Sequence, residues 1–203
     1  MKRIDIEQLL ASPAEAAALV EVLRRGGVAG IPTETFYGIA ADPFSEAGVR
    51  HVQELKRRGA EKPPLVLFAS RRQLASFHIA APASALDRFF ALWPAPLTVV
   101  LPLRAPIPAS CGASSLAVRM PAHEKLRALL VEVGPVTGTS LNRAGEAPCE
   151  DADGAERLFA REIDVLVDGG KTPGGLPSTV VDATAEPARL LREGAFAWPP
   201  GRP

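Results

Sequence analysis

Cysteine is scarce in this chain. Cys111 and Cys149 are the two present, too few for a disulfide framework or a four-ligand zinc site, and they read as incidental thiols of a cytoplasmic protein. Bulk charge of one sign is missing as well. Lys plus Arg and Asp plus Glu each number 23, so no net charge draws the chain to nucleic acid non-specifically. A local basic cleft is still allowed. No apolar run approaches the roughly 20 residues of a membrane-spanning helix, and Met1 to Glu7 has no apolar h-region of a secretory signal. Internal repeats, low-complexity tracts, a Walker phosphate loop and a glycine-rich dinucleotide fingerprint are also absent from the sequence. Generic motifs therefore do not point to a nucleotide site.

What is present suits a globular chain with a sizeable core: 203 residues, 47% of them apolar, and residues 1–203 are expected to form one domain. The most informative stretch runs from Gly30 to Asp42. Val28, Ala29 and Ile31 read as a short buried strand, which Pro32 ends because proline has no backbone donor. Thr33, Glu34 and Thr35 follow, then Phe36, Tyr37 and Gly38. Polar groups collected at a strand end are what α/β proteins use to bind ligands; an ordinary strand-to-loop turn has the same composition.

Helix signals flank this stretch. Ser12 with Pro13 and Glu15 forms an N-cap pattern, Ala16, Leu19, Val20 and Leu23 form an apolar stripe, and Gly26-Gly27 ends it. Ser45 caps a second helix, with Val49, Val52 and Leu55 on its apolar face and Lys56-Arg57-Arg58 in its last turn. Cations there complement the helix dipole. With Lys62 they gather just before the strand Leu65–Phe68, where they also suit phosphate. Helices are expected over 71–77, 82–92 and 123–133, and strands over 99–103 and 165–167. His78 stands alone and is assigned no metal or catalytic role. Residues 115–121 alternate as a half-buried strand, with Ser115, Ala117 and Arg119 on one face and Leu116, Val118 and Met120 on the other. An arginine beside two small residues has room for a ligand; a solvent-facing arginine fits the same pattern. Thr139, Ser140 and Asn142 end another strand, near Gly145, and small polar groups beside such a turn can meet phosphate or ribose oxygens.

These segments together resemble the YrdC-like family, the threonylcarbamoyl-AMP synthases of tRNA modification, in their single-domain form. The resemblance rests on Pro32-Thr33-Glu34-Thr35-Phe36-Tyr37-Gly38, on Lys56 and Arg58 as a Lys-x-Arg element, and on Lys62-Pro63. It continues through Trp93-Pro94-Ala95-Pro96-Leu97-Thr98, Thr139-Ser140-Leu141-Asn142, Pro177 to Asp182 and Leu190 to Gly194. It spans residues 13–196. Three positions depart from the family pattern: an extra proline at Pro64, Ala95 for a glycine, and Leu141 for an alanine. Larger members add a second domain after a linker, and residues for one are not expected here.

The resemblance implies one α/β domain, a twisted mixed sheet with packed helices and an open concave face. It implies ATP as substrate, with Mg²⁺ held mainly by phosphates and water and no protein ligand named for it. Threonine, bicarbonate or carbon dioxide, and ATP would give L-threonylcarbamoyladenylate and pyrophosphate. Lys56, Arg58, Ser140 and Asn142 take the catalytic roles. Ser115, Cys149, Ser178 and Arg192 join those four around ATP. Thr33, Arg119, Thr139 and Thr179 face threonine, and Glu34 organises from behind. The adenylate would pass to the tRNA threonylcarbamoyl transferase machinery, with weak RNA binding as an added property. Three alternatives stand beside this reading: a domain handling carbamoyl-adenylate, a non-catalytic RNA-binding protein, and a nucleotide-binding paralogue without the reaction. Zero net charge and the lack of an aromatic-basic stripe count against the RNA reading.

Overall fold

A computed structural model describes residues 1–57 and 63–198 of the chain. In chain order the elements are β1 (Lys2–Asp5), α1 (Ile6–Ala11), α2 (Pro13–Arg24), β2 (Ala29–Ile31), β3 (Gly38–Ala40) and α3 (Glu46–Lys56). Next come β4 (Val66–Leu67), α4 (Arg71–Ala75), α5 (Ala83–Phe90), β5 (Leu97–Pro102), β6 (Ser115–Arg119) and α6 (Glu124–Val133). The last are β7 (Val136–Thr137), β8 (Thr139–Ser140), α7 (Ala152–Phe159), β9 (Val165–Asp168), β10 (Thr179–Asp182) and β11 (Arg189–Arg192).

Local chemistry accounts for the helix starts. Ser12 Oγ accepts the Glu15 N–H at 3.3 Å and Ser45 Oγ accepts the Gly48 N–H at 3.1 Å, each satisfying a donor that a helix start leaves unpaired. His123 caps α6 through Nδ1, which accepts the Leu126 N–H at 3.1 Å. Gly26, with φ 82°, closes the turn after α2 in a conformation that disfavours a side chain. The sequence does not announce β1, α1, β3 or α7. All four are short, α7 being the longest at 8 residues.

The expected mixed α/β fold is present, and its strands divide between two mixed sheets. One has the order β1-β9-β2-β3-β8 and the other β11-β10-β5-β6-β4-β7. The segment Val136–Ser140 passes from one to the other. β7 pairs antiparallel with β4, and β8, one residue later, pairs antiparallel with β3. Thr137 ties the crossing: its N–H donates to Ala41 O at 2.9 Å, and its hydroxyl accepts the Ala41 N–H at 2.9 Å and donates to Ile39 O at 3.0 Å. At the crossing itself Gly138 runs so close to β4 that a Cβ would lie 2.5 Å from Leu67 Cγ.

Apolar faces fill the space around both sheets. Phe68, Phe77, Phe89 and Trp93 pack on β5 and β6. Leu19, Leu23, Leu126 and Leu130 from α2 and α6 cover one face of the first sheet, and Leu55 and Phe159 from α3 and α7 pack on its other side. The polar strand ends are left to form a cavity between the sheets.

Candidate active site

That cavity has a volume of about 230 Å³. Its walls come from the loop after β2, from β6, from β8, and from the β10–β11 pair.

The loop after β2 is shaped by one hydroxyl. Thr33 Oγ1 donates to Phe36 O at 2.7 Å and accepts the N–H groups of Thr35 at 3.1 Å and Phe36 at 3.2 Å. Thr33 lines the cavity, but its proton is committed to the turn, a common use of a threonine at a strand end. Tyr37 anchors the same loop by donating to Gly170 O at 2.8 Å and accepting the Gly169 N–H at 3.0 Å. Burial pushes its phenol up to about 12, so it remains a neutral donor at ordinary pH.

The β6 face follows the alternation read from sequence. Leu116 and Val118 are fully buried, while Ala117 and Arg119 line the cavity. Ser115 pairs with Pro102 at the other end of the strand, roughly 13 Å from Arg119 at strand rise, and is not part of the wall. The expected ATP contact at Ser115 is therefore absent from this cavity, because alternation settles the face of a residue and not its distance along the strand. Arg119 is 3% exposed, and its partner is Glu34, with Nη1 3.6 Å from Oε1. Burial lowers the Arg119 pKa and the Glu34 charge opposes the shift.

Lys56, expected in the open cleft, stands behind the wall instead, with 1% exposure. Its ammonium donates to Ser140 O at 2.6 Å, to Ser140 Oγ at 3.3 Å and to Asn142 Oδ1. Ser140 Oγ donates in turn to Asn142 Oδ1 at 2.7 Å. The structure thus brings Lys56, Ser140 and Asn142 together as one hydrogen-bonded unit, with Ser140 and Thr139 on the cavity side. Arg58 and Lys62 lie outside the described residues.

At the β10–β11 end of the sheet that carries β6, Ser178 shares a hydrogen bond of 2.8 Å with Thr98. Arg192 donates from Nη2 to Ser178 O at 2.8 Å. Its pKa is lowered by burial and, beyond that, by the charge of Arg119. Two guanidinium groups that repel each other around one cavity favour an anion between them.

Two expectations change. Thr179 faces away from Ser178 and Val180, and its hydroxyl donates to Phe196 O at 2.6 Å, so it buttresses the C-terminal segment and does not reach the cavity. Cys149 is 6% exposed and packs with Leu141 and Ala152 in the core. Its N–H donates to Leu141 O at 3.0 Å, and burial raises its thiol pKa. Leu141 is itself fully buried, so its bulk points away from the cavity. Ala95 sits in its turn without a positive φ. The sequence reading did not assign Thr35, Pro63, Thr98 or Val180 to the site, although all four line the cavity. All four fall inside the quoted motifs, which was the available signal.

Comparison with known proteins adds a family. The Sua5/YciO/YrdC family model, described as "Telomere recombination", matches residues 21–194. A threonylcarbamoyl-AMP synthase of Pyrococcus abyssi is 36% identical over 177 residues, 86% of this chain and 52% of that protein. One from Thiobacillus denitrificans is 36% identical over 173 residues, 84% of this chain and 90% of that protein. The chain therefore spans about half the length of the first relative and most of the second. Among solved structures, P. abyssi Sua5 complexed with L-threonine superposes with TM-score 0.82 at 33% identity, covering 95% of this chain and 56% of that one. Escherichia coli YciO matches in fold, with TM-score 0.79 over 92% of both chains at 20% identity. A family model matched across most of the chain, with relatives above 30% identity aligned over more than four-fifths of it, makes this protein a member of the Sua5/YciO/YrdC family.

Proposed function

We propose that this chain is a threonylcarbamoyl-AMP synthase. The observation that carries the reading is the meeting of Arg119 and Arg192 on one cavity that is also lined by hydroxyl residues, among them Thr33, Thr35, Thr98, Thr139, Ser140 and Ser178. The names of the relatives and the threonine complex of P. abyssi Sua5 support the same reading. The amine of L-threonine attacks the carbon of carbon dioxide, supplied as such or from bicarbonate, and loses a proton to become the carbamate. A carbamate oxygen then attacks the α-phosphorus of ATP, the bond to the bridging oxygen breaks, and pyrophosphate leaves. L-Threonylcarbamoyladenylate remains and passes to a tRNA threonylcarbamoyl transferase.

Phosphorus chemistry of this kind depends on position and charge more than on a covalent protein group. Arg119 takes the threonine carboxylate on the β6 wall, and Thr139, on β8 of the same cavity, also serves threonine. Arg192 and Ser178, at the β10–β11 end of the sheet that carries β6, take phosphate oxygens. Ser140 is presented to ATP by the Lys56–Asn142 unit, and Arg58 belongs with the phosphates. Among the described residues no group of three or more His, Cys, Asp or Glu comes together to hold a metal. Mg²⁺ is read as arriving with ATP on its phosphates, and no step is assigned to it.

The test is pyrophosphate release by the purified chain with ATP, L-threonine and bicarbonate, with threonylcarbamoyladenylate identified by mass. Release is expected to need both threonine and bicarbonate. Equal release with either omitted overturns the reading.

A further inference from the structure

Among the described residues, one ion pair is both buried and too long for a hydrogen bond, whereas the other long pair, Arg189–Asp182, is open to solvent. The Arg3–Asp168 and Arg71–Asp87 pairs reach solvent and close to 2.7 Å each. Glu34 and Arg119, with side chains 11% and 3% exposed, stay 3.6 Å apart. Charge-assisted N–H···O bonds form at about 2.7–2.9 Å, so this contact is an ion pair without a hydrogen bond. Both Glu34 carboxylate oxygens and Arg119 Nε are buried with no hydrogen-bond partner among the described residues. A buried charge pair left this unsatisfied contributes little to folding, since desolvation offsets its attraction. Buried polar groups are otherwise paired almost without exception, which makes three orphaned atoms in one contact a sign of function.

Chain geometry says where each partner stands. Thr33 and Thr35 line the cavity and Glu34, between them, does not, whereas Arg119 does. Glu34 therefore approaches Arg119 from behind the wall. His123 also faces Glu34 and interacts with it electrostatically, without an ion pair within 4.0 Å.

We propose that Glu34 is a positioning residue, drawing on the Arg119 guanidinium from behind the wall and fixing the orientation in which it meets the carboxylate of the amino-acid substrate. The identity of that substrate as L-threonine rests on the function proposed above; the positioning of Arg119 does not. The loose pair leaves the guanidinium its bonding capacity until the ligand arrives, and the fork geometry of arginine then supplies directed donors.

Glu34→Gln keeps the shape and removes the charge. The KM for threonine is expected to rise about tenfold, with kcat changing less and the KM for ATP holding within about twofold, the pattern of lost ground-state binding. Glu34→Asp, which keeps the charge, should recover part of that loss. In an Arg119→Lys background Glu34→Gln should add little, because residues acting as one unit are not additive. Unchanged threonine KM in a folded Glu34→Gln, an equal rise for both substrates, or full additivity overturns the proposal.

A melting comparison tests the pair without using the reaction. Glu34→Gln alone should melt below wild type because it strands a buried charge. Glu34→Gln combined with Arg119→Met should melt at or above wild type, since both charges are gone. A double variant that melts below each single variant makes the pair a structural element and overturns the proposal. If wild type shows no threonine-dependent turnover, the functional reading fails, and the melting comparison still decides the role of Glu34.

Discussion

Lys56 and Ser140, 84 positions apart in sequence, are joined by a hydrogen bond of 2.6 Å from the lysine ammonium to the serine carbonyl. The cation at the end of α3 is thereby built into the end of β8, and it reaches Asn142 in the same grip. Lys56→Met removes these contacts while keeping most of the apolar stem. Hydrogen bonds to charged groups contribute about 1.5–3 kcal/mol, so urea denaturation should show a loss of that order. Turnover should fall roughly a hundredfold because Ser140 and Asn142 lose their alignment, the scale of a misplaced catalytic group. Wild-type turnover in a folded Lys56→Met would make the lysine a structural tie alone.

Gly138 is the point where the chain changes sheets, and its neighbour leaves no space. A Cβ there would stand 2.5 Å from Cγ and 2.6 Å from Cδ1 of Leu67, which is fully buried. Gly138→Ala should destabilise the protein by about 1–3 kcal/mol through overpacking. The companion Leu67→Ala should relieve that clash, so the pair of changes should be less than additive in denaturation midpoints.

Thr33→Val retains volume and deletes the hydroxyl that Phe36 O, Thr35 N–H and Phe36 N–H all use. Leaving such groups unpaired costs about 1–3 kcal/mol. The loop also lines the cavity that Arg119 enters, so the threonine requirement should rise while ATP binding alone holds. Titration of ATP without threonine, set beside threonine titration with an inert ATP analogue, separates the two. A fall in ATP affinity with threonine affinity kept would move the Thr33 loop to the nucleotide half of the site.

His123 gives the protein a pH dependence of defined sign. Its pKa is lowered, first by burial, with Glu34 opposing and Lys125 and Arg127 adding to the shift. Its Nδ1 must also stay unprotonated to accept the Leu126 N–H. A base with a depressed folded pKa binds its proton more readily when unfolded, so its contribution is full above the unfolded value near 6.5 and is lost as pH falls below it. Helix caps are worth about 1 kcal/mol. His123→Asn, a good cap that does not titrate, should flatten this part of the stability curve between pH 7 and 5. An unchanged slope in the variant would assign the acid sensitivity to the carboxylates.

The two thiols should be slow to react. Burial raises the pKa of Cys111 and of Cys149, and the thiolate is the reactive form. A chromogenic disulfide at pH 8 should modify Cys149 only on unfolding, and Cys111 more slowly than a free thiol. Rapid modification of Cys149 in the folded protein, blocked by ATP, would return that residue to the nucleotide site.

What could be read from the sequence is what neighbours in the chain decide between themselves. A serine cap joins residues three apart, so the starts of α2 and α3 were visible at Ser12 and Ser45. Strand alternation is equally local, and it placed Arg119 and Ala117 on one face of β6. Motif resemblance supplied Thr33, Thr139, Ser140, Ser178 and Arg192, which the structure gathers around one cavity. Position along a strand and partners across the fold were not contained in any of these patterns. Ser178 and Thr179 are adjacent hydroxyls, yet the pleat sends one to the cavity and the other to Phe196. Ser115 shares the face of Arg119 and is carried away by strand length alone. The resemblance puts Lys56 at ATP in the cleft and Glu34 behind the site, but it names the partner of neither. Their burial against Ser140 and Arg119 follows from sheet register and from the crossing at Gly138, where strands far apart in sequence are brought within bonding distance.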